Sequence, residues 1–120
     1  MSKHKILICD DENSIRDSLD LILSEKYDLK FAANGQEAIS AIENDPNIEL
    51  LLLDIKMPQK SGIDILKEIR FRNNNISVIM VTGYSSVETA NESLKLGALD
   101  YISKPFQSKT LLEAVEKVFL

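Results

Sequence analysis

Five short apolar runs alternate along the chain with segments of helical period, and that alternation constrains the fold more than any other feature. The runs are Ile6 to Cys9, Leu29 to Ala33, Ile48 to Leu53, Val78 to Val81, and Leu99 to Ile102. Parallel strands need a crossover between them, usually a helix, so this order predicts an α/β chain with a parallel sheet. Leu50-Leu51-Leu52-Leu53 and Val78-Ile79-Met80-Val81 are apolar at consecutive positions, as expected of strands covered on both faces, and they should lie in the middle of the sheet. A chain of 120 residues, 44% hydrophobic, is large enough for one core and too short for two.

The helical segments carry their own start and stop signals. Ile15, Leu19, Ile22 and Leu23 form one apolar stripe, Ala38, Ile39 and Ile42 a second, and Ile63, Leu66, Ile69 and Arg70 a third. Asn34-x-x-Glu37, Ser61-x-x-Asp64 and Ser85-x-x-Glu88 have the form of a capping box or a close variant. Gly97 follows Leu94-Lys95-Leu96, where a left-handed residue closes a helix, and Asn73-Asn74-Asn75 reads as a polar turn. Leu111, Leu112, Val115, Val118 and Phe119 give a docking helix at the end.

Composition excludes several classes. The lone cysteine, Cys9, rules out a disulfide framework and a four-thiolate zinc site, and it points to a reducing compartment. Only four apolar residues separate Met1-Ser2-Lys3-His4-Lys5 from Asp10-Asp11-Glu12, too few for a signal peptide core or a membrane span, so a soluble cytoplasmic domain is expected. A net charge of −5 works against phosphate-backbone attraction, and direct nucleic-acid binding is not expected.

In a doubly wound parallel sheet, functional groups gather at the carboxyl ends of the strands. Read to their ends, the runs give Asp10-Asp11 after the first, Asp54 after the third, Thr82 after the fourth and Lys104 beyond the fifth. With strand order 2-1-3-4-5 the first and third strands are neighbours, which brings three carboxylates into one crevice. Their repulsion calls for raised pKa values or a cation, and an all-oxygen set lacking His and Cys suits Mg2+. His4 precedes the first strand and Cys9 points into the core, so neither is expected to be a ligand. Asp54, which closes the central strand, is the candidate nucleophile towards phosphorus, with Thr82 as hydroxyl donor and Lys104 as counter-charge. Taken singly, Asp11 could cap a helix, Thr82 before Gly83 could serve a turn, and Lys104 before Pro105 could be a solvated loop charge. Their convergence on one sheet edge favours a shared site.

These residues resemble the receiver domain of bacterial two-component response regulators, in the order Ile6-Leu7-Ile8-Cys9-Asp10-Asp11-Glu12, Leu52-Leu53-Asp54-Ile55-Lys56-Met57-Pro58 with Gly62, Val81-Thr82-Gly83, and Gly97-Ala98-Leu99-Asp100-Tyr101-Ile102-Ser103-Lys104-Pro105-Phe106. The resemblance covers essentially residues 1–120 and implies a flavodoxin-like (βα)5 domain, either whole or the N-terminal part of a longer regulator. The stretch from Thr82 to Phe106 is similar to receivers of the transcription-activator type.

The resemblance implies that Asp54 accepts a phosphoryl group from the phosphohistidine of a sensor histidine kinase or phosphotransfer protein. Asp11, Asp54 and the backbone carbonyl of Lys56 would bind Mg2+, with Asp10 acting through water. Thr82 and Lys104 would contact the phosphoryl oxygens, Thr82 and Tyr101 would move together as a switch, and Lys56 and Tyr84 would tune the phosphoryl lifetime. It further implies a cis bond before Pro105. The surface around 87–96, 99–102 and 111–119 is the expected output face, and a phosphorylation-dependent homodimer through it is expected. A domain that catalyses only its own phosphorylation and dephosphorylation is not a turnover enzyme on an external substrate.

Three other functions fit the residues less well. A phosphate-independent receiver-like interaction module would be expected to lack an acidic residue, the Thr or the Lys. A flavin protein would want a hydroxyl- and Gly-rich first loop in place of Asp10-Asp11-Glu12. A hydrolase with an Asp nucleophile would need a general acid and a cap for which the chain has no length.

Overall fold

The computed structural model describes residues 3–72, 74–84 and 86–120. The elements follow in the order β1 (Lys5–Cys9), α1 (Asn13–Leu23), β2 (Asp28–Ala32), α2 (Gly35–Asn44), β3 (Ile48–Leu53), α3 (Gly62–Phe71), β4 (Ser77–Thr82), α4 (Val87–Lys95), β5 (Asp100–Ser103) and α5 (Ser108–Val118). All five strands are parallel, in the order β2-β1-β3-β4-β5, as the alternation of strands and helices requires. The expected runs fall on the strands with ends displaced by a residue or two. β5 in particular starts at Asp100 instead of Leu99, whose side chain is exposed, although the Leu99 amide already bonds to the Val78 carbonyl at 2.7 Å.

Continuous apolar runs are explained by two cores, one on each face of the sheet. Leu7, Cys9, Leu51, Leu53, Val78 and Met80 point to one face, where they meet Ala38, Ile39 and Ile42 of α2 and Ile63, Leu66 and Ile69 of α3. Their neighbours Ile6, Ile8, Leu50, Leu52, Ile79 and Val81 point to the other, against Leu19 and Leu23 of α1 and Leu111, Ala114 and Val115 of α5. A strand residue that must be apolar at both parities leaves polar groups only at its ends. Burial of Cys9 pushes its thiol up to about 12, and its sulfur lies 3.9 Å from that of Met57, so it is an interior packing group. α4 is the exception among the helices, with Ser93 its single buried residue among those described.

Caps follow the sequence in part. Asn34 accepts from the Glu37 amide at 2.9 Å and Ser61 from the Asp64 amide at 3.2 Å. α4 is capped by Ser86, which accepts from the Thr89 amide at 3.1 Å, in place of the expected pair with Glu88; Ser85 lies outside the described residues. Gly97 takes φ +87 as expected. Of the polar turn, Asn73 also lies outside the described residues, while Asn74 accepts from the Ile76 amide at 2.9 Å. Arg70 does not extend the apolar stripe of α3; its guanidinium bonds to backbone carbonyls. No described helix is long and apolar enough to cross a membrane.

Gly62 sets the approach of α3 to the end of β3. A Cβ there would lie 2.0 Å from the carbonyl oxygen of Asp54 and 2.8 Å from Ile55 Cα, both backbone atoms, while the Gly62 amide bonds to the Ile55 carbonyl at 2.7 Å. Gly62→Ala is expected to cost about 1–3 kcal/mol in urea unfolding through overpacking against a backbone that cannot rotate away. At Gly83 a Cβ would meet nothing closer than Lys104 Cβ at 3.9 Å, so Gly83→Ala should stay within about 0.5 kcal/mol of wild type. Equal costs at the two positions would refute the close-approach account.

Candidate functional site

The register brings the strand ends together. Cys9 pairs with Leu53, so Asp10 and Asp54 leave neighbouring strands side by side, and the Asp54 amide bonds to the Cys9 carbonyl at 3.1 Å. Thr82 pairs with Ser103, and the next amide, that of Lys104, bonds to the Thr82 carbonyl at 2.9 Å. The bond from Lys104 to Pro105 is cis, as the resemblance implies.

Ligand-capable oxygens of Asp10, Asp11, Glu12 and Asp54 lie within 4.8 Å of one another. Asp10 and Asp54 are buried, whereas Asp11 and Glu12 are exposed. Lys104 reaches into the cluster: its Nζ is 2.6 Å from Asp10 Oδ2, 3.5 Å from Asp54 Oδ2 and 3.8 Å from Glu12 Oε1. Both oxygens of Asp10 are engaged, because Oδ1 accepts from the Glu12 amide at 3.0 Å. Asp54 Oδ1 accepts from the Ile55 amide at 2.8 Å, which leaves Oδ2 facing Lys104.

Burial raises the Asp10 carboxyl above the usual carboxylate range, against the pull of its Lys104 hydrogen bond. Burial alone would lower the Lys104 ammonium; the hydrogen bond it donates to Asp10 and the charges of Asp54, Asp10 and Glu12 outweigh it and carry the group above its ordinary value. Four carboxyl groups around one ammonium leave a local excess of negative charge. The donor set is all oxygen, drawn from two buried and two exposed carboxylates, and that chemistry fits a hard divalent cation.

The other expected residues are placed as follows. Lys56 and Tyr84 line a cleft of about 190 Å³ together with Glu12, Asp54, Gly83 and Lys104. Thr82 is fully buried, and its hydroxyl accepts from the Tyr84 amide at 3.1 Å instead of reaching Asp54. Tyr101 is half-buried against the α2–α3 core, and its hydroxyl donates to the Tyr84 carbonyl. One residue, Tyr84, therefore links Thr82 to Tyr101 through its own peptide groups. Asp11 is not a cap: the N-cap of α1 is Glu12, whose side chain makes no capping bond. His4 sits far from the cluster, bonded to Glu49 at 3.0 Å and stacked on Phe119 at 4.1 Å between ring centroids.

Glu12 is the member that sequence reasoning passed over as a site residue. Its signal was present, since it follows Asp10-Asp11 directly, but one more acidic residue at a helix start has an ordinary reading as a dipole partner.

The description "Response regulator receiver domain" matches residues 6–116. The chain is 39% identical to "Sporulation initiation phosphotransferase F" of Bacillus subtilis over 98% of its own length and 94% of that protein. It is also 39% identical to "Response regulator protein PilR" of Pseudomonas aeruginosa, over 96% of its own length but only 26% of that protein. The chain thus spans nearly all of one such relative and about a quarter of the other. Among solved structures, a CheY-like receiver domain protein of Methanospirillum hungatei superposes with TM-score 0.89 at 41% identity, covering 98% of this chain and 95% of that one. CheY in its complex with CheX, BeF3 and magnesium from Borrelia burgdorferi gives 0.91 at 33%, covering 99% and 91%. With its fold, its converging strand ends and a match over 6–116, the chain belongs to the response regulator receiver domain family.

Proposed function

We propose that this domain is a phosphorylation-activated signalling switch in which Asp54 takes a phosphoryl group from a phosphohistidine on a sensor histidine kinase or phosphotransfer protein. The observation that supports this best is the buried Asp54, whose Oδ2 lies 3.5 Å from the Lys104 ammonium within a cluster of four carboxylates. Oδ2 attacks phosphorus in line with the donor imidazole. As the O–P bond forms, the P–N bond breaks, and its electron pair stays on the imidazole nitrogen, which takes up a proton. Lys104 stabilises charge on the transferring oxygens.

The same geometry supports a division of labour among the acids. Asp11 and Asp54, with the Lys56 carbonyl, are assigned to hold Mg2+; Asp10, whose two oxygens are already taken, acts through water. Bound there, the ion would neutralise charge between the carboxylates and the incoming phosphoryl group. Thr82 then turns its hydroxyl from the Tyr84 amide to a phosphoryl oxygen, and Tyr101 follows into the space it leaves. Residues around 87–96, 99–102 and 111–119 form the output face, which pairs with a second copy in the phosphorylated state. Exposed Val87, Leu94 and Leu99 supply apolar surface for that contact. The domain works in the cytoplasm, alone or as the N-terminal part of a longer regulator of transcription, and does not itself touch nucleic acid.

Incubation with a small-molecule phosphodonor should add one phosphoryl mass to the intact protein, only with Mg2+ present and not in Asp54→Asn. No gain in folded wild type that still binds Mg2+ would favour a phosphate-independent interaction module. Light scattering of the verified phosphoprotein at high concentration should show the mass of a dimer; an unchanged monomer would remove the pairing. Lys56→Asn combined with Tyr84→Ala should alter the dephosphorylation rate, because both side chains line the cleft through which water reaches Asp54, and equal rates would remove that role.

A further inference from the structure

A switch that moves one end of a helix needs the other end to be held, and the half-buried guanidinium of Arg70 is placed to hold it. Its Nε donates to the Leu96 carbonyl at 2.8 Å and its Nη2 to the Gly97 carbonyl at 3.4 Å, at the C-terminal end of α4. Its Nη1 donates to the carbonyls of Asn74 at 3.0 Å and Ile76 at 2.8 Å, in the connection from α3 to β4. All of these partners are backbone carbonyls; no carboxylate pairs with Arg70 among the described residues. Burial holds the guanidinium below its ordinary pKa, so the carbonyl dipoles are what make its position tenable.

The two ends of α4 are secured in different ways. At the C-terminal end, the Gly97 amide bonds to the Leu94 carbonyl at 3.0 Å and the Ala98 amide to the Ser93 carbonyl at 3.0 Å, the two bonds of a Schellman closure around the left-handed glycine. The Leu99 amide ties the next residue to β4, and Ser93 is the one buried residue of the helix. Arg70 adds a cation at the negative end of the helix dipole and fills carbonyl valences that a helix end leaves open. At the N-terminal end, Val87 is 77% exposed, and the preceding segment is tied to the sheet through the Thr82 and Tyr101 hydroxyls on Tyr84. Those are the contacts that the proposed switch exchanges. Further along, Lys67 and Glu92 pair at 3.2 Å on the surface, where such a pair contributes little.

We propose that Arg70 is the pivot of α4: its guanidinium fork fixes the C-terminal end of the helix to the α3–β4 connection and confines the phosphorylation-linked change to the N-terminal half. Tyr84 and Val87 then belong to the surface that reports the state of Asp54, while Leu94 and Leu99 present the same surface in both states. This assignment rests on the switch reading only for its phosphorylated arm.

The test is amide exchange resolved by NMR on the full chain. In the unphosphorylated protein, Arg70→Met should speed exchange at Leu96, Gly97, Ala98 and Leu99 by roughly ten-fold or more, the effect of losing charge-assisted hydrogen bonds at a local opening. Should Arg70→Met fail to fold, Arg70→Lys keeps the stem and charge but not a fork that spans both segments, and the same acceleration is expected. Unchanged exchange at these amides in a folded variant would overturn the pivot. After phosphorylation confirmed by intact mass, changes within 86–99 should be confined to residues 86–92 in wild type and should spread to 93–99 in the variant. Equal loosening of both ends in phosphorylated wild type would also overturn it. Absence of the phosphoryl mass would count against the switch alone, since the unphosphorylated comparison still decides whether Arg70 holds the helix.

Discussion

An ammonium drawn in among carboxylates is the interaction on which the functional edge depends. Asp10 and Asp54 leave adjacent strands as buried acids, and without a compensating cation their proximity would push one of them towards the neutral form. Lys104 provides that cation from the far side of the sheet, since β5 lies two strands away from β3 and the side chain reaches back across the end of β4. The same contact ties the loop after β5 to the loop after β1. Its geometry is unequal: the ammonium is close to Asp10 and more distant from Asp54. The acid at the centre of the sheet is thereby left more lightly engaged than its neighbour.

Much of this was legible in the sequence because two-sided burial is a strict demand. A strand that is apolar at every interior position can present polar groups only where it ends, so reading each run to its last residue located Asp10, Asp54 and Thr82 without a structure. Chain order and the switch-point rule then placed them on one edge. The capping signals at Asn34 and Ser61 were equally local, since donor and acceptor lie three residues apart.

What escaped was non-local or ambiguous between neighbours. Two adjacent serines could each cap α4, and the structure uses Ser86, one residue later than the spacing to Glu88 suggested. Arg70 falls in the apolar stripe of its helix by periodicity alone. That its guanidinium meets the carbonyls of Leu96 and Gly97, which are 26 and 27 residues away, follows from tertiary packing that no local pattern encodes. Likewise the sequence brought Thr82 to the site edge but could not show its hydroxyl occupied by the Tyr84 amide, the detail that separates a resting residue from an engaged one.

The thin interior footprint of α4 bears on how such a domain can change over time. Since Ser93 is the buried residue of that helix, most other positions along it can be replaced with little penalty to folding. A surface of this kind can drift in shape and charge while the two cores on either side of the sheet remain fixed. New recognition partners can therefore be acquired by rewriting one lightly packed helix, while the carboxylate and ammonium cluster at the strand ends is inherited unaltered.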